Sequence, residues 1–370
     1  MYYLCLLNSN LYTKNMADKK QIVFIVNPIS GTQGKKSIIK CIDERIDRSL
    51  YDYKIEKTAY AGHAIEIAAD AAKRNVDIVV AIGGDGTINE VARSLIHTPT
   101  ALGIIPCGSG NGLARHLRIP MEPKSAIDLI NNNYQICIDY GKINNIPFFC
   151  TCGVGFDAFV SLKFADSGKR GLLTYLENTL HESLNYQPET YEIENEEGTV
   201  KYKAFLIACG NASQYGNNAY ITPQASLKDG FMDVTIIEPF NIIDIPSLSF
   251  QLFNKTIDQN SRIKTMRTQK IKIHRTKPGV FHFDGDPMMG EENLEVEIIP
   301  KGLNVIANPK KRKANNESIN FLQVMSEYFS GLKPKGEEFL AKRQNELFEL
   351  NRTLLRKLSK RNEDTPNSKS

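Results

Sequence analysis

The sequence predicts an α/β N-terminal domain with a mostly parallel sheet, a mostly antiparallel β-rich C-terminal domain, and a helical C-terminal tail. Three observations carry this. Over residues 21–135, short apolar runs alternate with stretches of helical periodicity, the pattern of a parallel sheet clothed by helices. Over 136–308 that alternation gives way to short runs separated by turn residues. From 309 onward the composition turns basic and helical, beginning with Lys310-Lys311-Arg312-Lys313.

In the first domain the apolar runs 22–26, 53–58, 78–82 and 102–105 read as strands, and 35–48, 62–74, 88–97 and 124–132 as helices. In the second, strands are expected at 134–143, 147–154, 189–196, 200–209, 231–237, 268–275, 279–284 and 293–306, with helices near 170–185 and 241–254. Asn144-Asn145, Glu197-Gly198 and Lys277-Pro278-Gly279 supply turns. The tail divides into helices over about 318–330 and 336–361, broken at Pro334 and Gly336, within a basic helical segment 309–361; residues 362–370 are too polar to fold. Residues 1–20 read as a disordered or extraneous N-terminus, with Met16 as the natural start.

Composition excludes several classes. Of 370 residues, 41% are hydrophobic and 24% charged, ordinary globular usage that rules out collagen-like, low-complexity and wholly disordered chains. No run approaches the roughly 18 apolar residues of a membrane span. The N-terminus lacks the basic and apolar regions of a signal peptide. Seven scattered cysteines without a CxxC suit reduced thiols in the cytoplasm rather than a disulfide or zinc framework. None of the six histidines is spaced as a metal pair.

Chemistry concentrates in glycine-rich loops at strand ends, where ligands of open α/β sheets bind. Ile82-Gly83-Gly84-Asp85-Gly86-Thr87-Ile88-Asn89-Glu90 follows a strand and opens a helix, so bare backbone N–H groups and a helix N-terminus can meet phosphate oxygens. Asp85 would repel a phosphate unless it met magnesium or accepted a proton; as plain structure it would be a capping residue. Asn27-Pro28-Ile29-Ser30-Gly31 follows the first strand, and Gly34-Lys35-Lys36-Ser37 fails the spacing of a P-loop. Pro106-Cys107-Gly108-Ser109-Gly110-Asn111-Gly112 is not the dinucleotide fingerprint either, which disfavours a dehydrogenase. Asp229-Gly230-Phe231-Met232-Asp233 and Phe283-Asp284-Gly285-Asp286 are each ordinary turn sequences when taken alone.

Taken in order with Gly153-Val154-Gly155-Phe156-Asp157, these six motifs resemble the diacylglycerol kinase catalytic family, which includes bacterial soluble lipid kinases and the sphingosine and ceramide kinases. The resemblance spans about 21–308. It implies a Rossmann-like, NAD-kinase-like first domain, ATP in an interdomain cleft, and transfer of the γ-phosphoryl group to a lipid hydroxyl. It places Asn27, Pro28, Ser30, Gly31, Thr58, Gly83, Gly84, Asp85, Gly86, Thr87, Asn89 and Ser109 at the nucleotide. It implies Mg2+ at Asp229, with the carbonyls of Ser226 and Phe231 as co-ligands. Asp284 and Asp286 stand where the family has Asp-Gly-Glu and its general base is sought, with Asp85 as a third catalytic carboxylate. Asp286 replaces Glu, so either Asp284 or Asp286 can take the proton. Phe156, Phe159, Leu162, Leu172, Leu173 and Leu176 would line an acyl channel or simply form core. Rival readings are a kinase of NAD and a catalytically decayed, nucleotide-gated lipid-binding protein.

The expected partner is a lipid substrate at a membrane surface. The net charge of +4 is unevenly spread: residues 309–370 hold 14 basic and 8 acidic residues, leaving the body at −2. Leu340, Leu347, Leu350, Leu354 and Leu358 share a helical face beside Arg343, Arg352, Arg356 and Lys360, so the tail suits peripheral contact with an anionic inner membrane face, its own body or a second subunit. No nucleic-acid partner is expected, and exposed strand edges suit a homodimer.

Overall fold

The computed structural model describes residues 19–30, 34–159, 161, 186–241 and 244–309. The strands are β1 (Lys20–Val26), β2 (Tyr51–Lys57), β3 (Ile78–Gly83), β4 (Ala101–Pro106), β5 (Gln135–Ile143), β6 (Ile146–Phe148), β7 (Thr151–Gly155) and β8 (Glu189–Asn195). They continue with β9 (Gly198–Ala204), β10 (Leu206–Gly210), β11 (Met232–Ile237), β12 (Ile263–Thr268), β13 (Lys270–Arg275), β14 (Gly279–Phe283), β15 (Asp286–Gly290) and β16 (Asn293–Ile306). The helices are α1 (Lys35–Arg45), α2 (His63–Lys73), α3 (Asp85–Leu95), α4 (Gly112–His116), α5 (Pro123–Asn132) and α6 (Ile245–Phe253). None of the described helices is long and apolar enough to cross a membrane.

β2, β1, β3 and β4 pair in parallel in that order. Helix α1 packs with α5 and α2 with α3. Every residue of β3 and β4 is buried, which explains their unbroken apolar sequences. Helix α5 is bounded by its own residues: Pro123 lies in its first turn, Glu122 accepts the Ser125 N–H at 2.7 Å, and Asn133 takes the left-handed conformation that ends it.

The first sheet does not stop at residue 135. The long strand β16 runs parallel to β4 at Val305 and antiparallel to β5, and β13, β8 and β9 continue beyond it, so ten strands share one sheet. A second, antiparallel sheet follows the order β12-β11-β10-β7-β14-β15. The two sheets pack face to face over Phe148, Val154, Tyr191, Ile207, Ile273 and Phe281. The apolar stretch 200–209 is therefore two strands in different sheets. The chain changes sheet at Phe205, whose N–H donates to Ile237 O at 2.7 Å and whose carbonyl accepts the Phe156 N–H at 2.9 Å.

Strand β15 and helix α4 lie where the sequence showed no element. Phe156 is buried in an aromatic cluster with Phe205, and Phe159, partly buried, packs against that cluster beside Tyr186. Leu162, Leu172, Leu173, Leu176, the expected helix 170–185, the N-terminus and the basic tail lie outside the described residues.

Candidate active site

Three loops at the carboxyl ends of β1, β3 and β4 meet, as the glycine pattern suggested, and hydrogen bonds lock them together. Asn27 donates from Nδ2 to Thr87 Oγ1 at 2.9 Å, tying the β1 loop to the first turn of α3. The Asn27 carbonyl accepts Ser30 Oγ at 3.0 Å. The Thr58 N–H donates to Val26 O at 3.0 Å, which brings the end of β2 alongside. Pro28, Gly86 and Ser109 are exposed, whereas Thr87 and Asn89 are buried at 5% and 4% exposure on the inner side of α3. Gly31 lies outside the described residues.

The β3 and β4 loops touch through glycines. A Cβ on Gly108 would stand 2.7 Å from Gly84 Cα and 2.9 Å from Asn111 Oδ1. Gly84 caps α3 without a side chain, so the first N–H groups of the helix keep their donors for a ligand.

Asp85 does something the sequence did not suggest. Its Oδ1 accepts the Gly112 N–H and its Oδ2 the Asn111 N–H, both at 2.8 Å. The carboxylate thus clamps the β4 loop, with Asn111 left-handed at φ +52. Burial pushes its carboxyl above the usual range, against the pull of those N–H donors and Arg115. Glu90, one helical turn on, accepts the Gly62 N–H at 3.0 Å and holds the start of α2. His63 sits in that turn, stacked on Tyr60 and accepting the Ala59 N–H.

Across from α3 stands the β14–β15 hairpin. Its two-residue turn is Asp284-Gly285, with φ of +53 and +89. The Asp284 carboxylate accepts three backbone N–H groups: Phe149 at 2.8 Å, Cys150 at 2.7 Å and Thr151 at 3.1 Å. Oδ1 takes two of these and Oδ2 one, which leaves Oδ2 a lone pair. Burial outweighs the three donors and pushes the Asp284 carboxyl up to about 6. Asp286 is more open, its side chain 57% exposed, and its Oδ2 lies 3.9 Å from Arg93 Nη2. Burial also raises its carboxyl, opposed by Arg93. Sequence reasoning missed Arg93; its only signal was its place one turn beyond Glu90 on the helix that bears the glycine loop.

The structure also builds a buried relay that the sequence showed only in part. Asp157 Oδ2 accepts Tyr215 OH at 3.0 Å and meets His282 Nε2 at 2.9 Å. A Cβ on Gly153 would collide with this group, at 2.7 Å from Asp157 Oδ2, which accounts for that glycine.

The expected magnesium ligands are arranged for another purpose. Asp229 pairs with Arg267, and its Oδ1 accepts the Phe231 N–H at 3.1 Å. Arg267 also lies over the Phe231 ring, 5.4 Å from its centre. The guanidinium neutralises the one carboxylate among the three expected donors, Asp229, Ser226 and Phe231. As arranged, that set does not fit a magnesium ion. The neighbouring turn is fastened by Asp139, which accepts the Gly230 and Lys301 N–H groups, each at 2.8 Å.

A parallel sheet with helix-opening glycine loops thus faces a hairpin that bears Asp284 and Asp286. Residues 21–143 match the diacylglycerol kinase catalytic domain, and residues 150–307 match the YegS C-terminal NAD kinase beta sandwich-like domain. The chain belongs to this diacylglycerol kinase and YegS-like lipid kinase family. It is similar to the probable lipid kinase YegS of Escherichia coli O127:H6, 30% identical over 249 residues that make up 65% of this chain and 82% of that protein. It is also similar to the diacylglycerol kinase of Bacillus subtilis, 27% identical over 273 residues, 72% of this chain and 90% of that one. The crystal structure of a diacylglycerol kinase from Bacillus anthracis shares the fold, with a TM-score of 0.63 at 19% identity, covering 79% of this chain and 97% of that one.

Proposed function

We propose that this chain is an ATP-dependent lipid kinase that moves the γ-phosphoryl group of magnesium-bound ATP to a lipid hydroxyl, with Asp284 as proton acceptor. The observation that carries this is Asp284 itself. Its carboxylate is fixed by three N–H donors, keeps one lone pair on Oδ2, and is raised to about 6 in a turn that faces the glycine-loop helix. A general base works best when its pKa lies near the working pH.

The nucleotide phosphates would lie on the N–H groups of the α3 N-terminus and the β1 and β4 loops, which Asn27 and Asp85 hold in place. The hydroxyl oxygen forms a bond to the γ-phosphorus as the bond from that phosphorus to the β–γ bridging oxygen breaks. ADP leaves with the electron pair, and the hydroxyl proton passes to Asp284 Oδ2. Positioning and charge stabilisation do most of the work in such transfers.

The acceptor class is tested with purified full-length protein, labelled ATP, magnesium and a panel comprising diacylglycerol, monoacylglycerol, sphingosine, ceramide, phosphatidylglycerol and NAD. Label in one or more of the lipids is the expected result. Label in NAD alone would replace the lipid reading with the nicotinamide one, and ATP consumption indifferent to every acceptor would remove both.

A further inference from the structure

Arg93 meets both α3 and the hairpin that faces it. It sits on α3, eight residues after Asp85, and reaches across to the β14–β15 hairpin. Its guanidinium lies over the Phe283 ring, 5.0 Å from the centre. Nε and Nη2 are both closed off from water, and neither has a hydrogen-bond acceptor. Unmet buried N–H donors on a cation are costly, so the arrangement favours any carboxylate that can move in. One is within reach: Asp286 Oδ2 is 3.9 Å from Nη2, beyond hydrogen-bond distance, on a side chain exposed enough to swing.

We propose that Arg93 is the positioning residue of the carboxylate pair: Asp286 closes onto its guanidinium, and the closed ion pair fixes the Asp284 turn against the glycine-loop helix. This rests on the reading of Asp284 as the proton acceptor only for its catalytic consequence; the ion pair stands on its own geometry. Phe283 supplies the platform, because a planar guanidinium stacks on an aromatic face and keeps its edge donors aimed sideways. The groups that face Asp286 are Arg93, Glu90 and Asp85 from the α3 side and His282 from β14. Glu90 and Asp85 repel it, and both are already committed to backbone N–H groups. Arg93 also acts on Asp284, whose carboxylate accepts the N–H groups of Phe149, Cys150 and Thr151. One cation therefore acts on both carboxylates, lowering each against the larger, opposite effect of burial.

The test needs no knowledge of the lipid. Full-length protein carrying aspartate labelled with 13C at the side-chain carboxyl is titrated by NMR, with Asp284→Asn and Asp286→Asn used to assign the two signals. In Arg93→Gln both carboxyls are expected to titrate higher by about half a unit or more, and in Arg93→Lys by less, because a charge returns without the stacked fork. Gln and Lys are good helix formers, so α3 is retained in both. Identical titrations in wild type, Arg93→Gln and Arg93→Lys would overturn the proposal. Phosphoryl transfer by the same variants separates the two ideas. Moved titrations with wild-type turnover in Asp284→Asn would uphold the ion pair and remove the base. Unmoved titrations with turnover abolished in Asp284→Asn would do the opposite.

Discussion

At the scale of single residues, Asp284 carries two duties, and its substitutions must be read with both in mind. It ends β14 in a left-handed turn that aspartate tolerates better than most residues. It also accepts the three N–H groups that shape the start of β7. Asp284→Ala would orphan those donors and lower stability along with activity. Asp284→Asn is the sharper probe, since it keeps the size and one accepting oxygen. Transfer is expected to fall by at least about 10²-fold, the usual worth of a positioned base, while calorimetric ATP affinity stays within a few fold. Retained turnover would remove Asp284 from the chemistry. The pH profile is a second check. The base acts when ionised, so kcat/KM should climb with pH through about 6 and level off above it. Stability runs the other way. The folded carboxyl holds its proton to higher pH than an unfolded one near roughly 4, so this residue favours the native state most below about 4. That contribution declines as pH rises through about 6. Thermal melts of wild type against Asp284→Asn across this window should show wild type gaining stability relative to the variant as pH falls from about 6 to about 4.

At the scale of elements, the glycine-loop side of the site is a junction of loops rather than one motif, with Gly84 packed against Gly108. Gly108→Ala would place a methyl 2.7 Å from Gly84 Cα, a separation that backbone must relieve by moving. The expected result is a loss of about 1–3 kcal/mol of stability, the usual cost of overpacking, with ATP affinity reduced because the β3 and β4 loops are wedged apart. Wild-type melting and wild-type ATP binding in that variant would refute the loop contact. Much of this junction was legible in the sequence, because a glycine followed by a helix signals a phosphate loop by its missing side chains. What stayed hidden was contact between elements distant in the chain. Asp85 looked like a metal or proton group, since nothing local shows that Asn111 and Gly112 would turn their N–H groups onto it. Arg93 looked like one charge on a helix face. The run 200–209 looked like one strand because apolar periodicity does not register a change of sheet at Phe205. Strand β15 was invisible because Asp286-Pro287-Met288-Met289 has no alternation and contains a proline, which an edge strand accepts.

At the scale of the whole molecule, the distribution of charge bears on how the enzyme would meet a lipid. The body through residue 308 has a net charge of −2, so an anionic bilayer offers it no general attraction; the residues from 309 hold +6 and a leucine-bearing sequence. Each basic side chain near an anionic surface contributes about 1 kcal/mol, an attraction that fades within a Debye length. If the tail is the membrane contact, three outcomes belong together. The full chain should sediment with phosphatidylglycerol-containing vesicles at low salt. Binding should weaken as ionic strength rises, because its first component is charge. A chain ending at residue 309 should lose the vesicles while keeping its ATP affinity, since the nucleotide loops, Asp284 and Arg93 all precede that point. Its transfer rate should then fall on vesicle-borne lipid but not on a short-chain lipid dispersed as monomers, a split that a catalytic defect would not produce. Vesicle binding unchanged by the truncation would assign contact to the body instead and leave the tail to bind the body or a second copy of the chain.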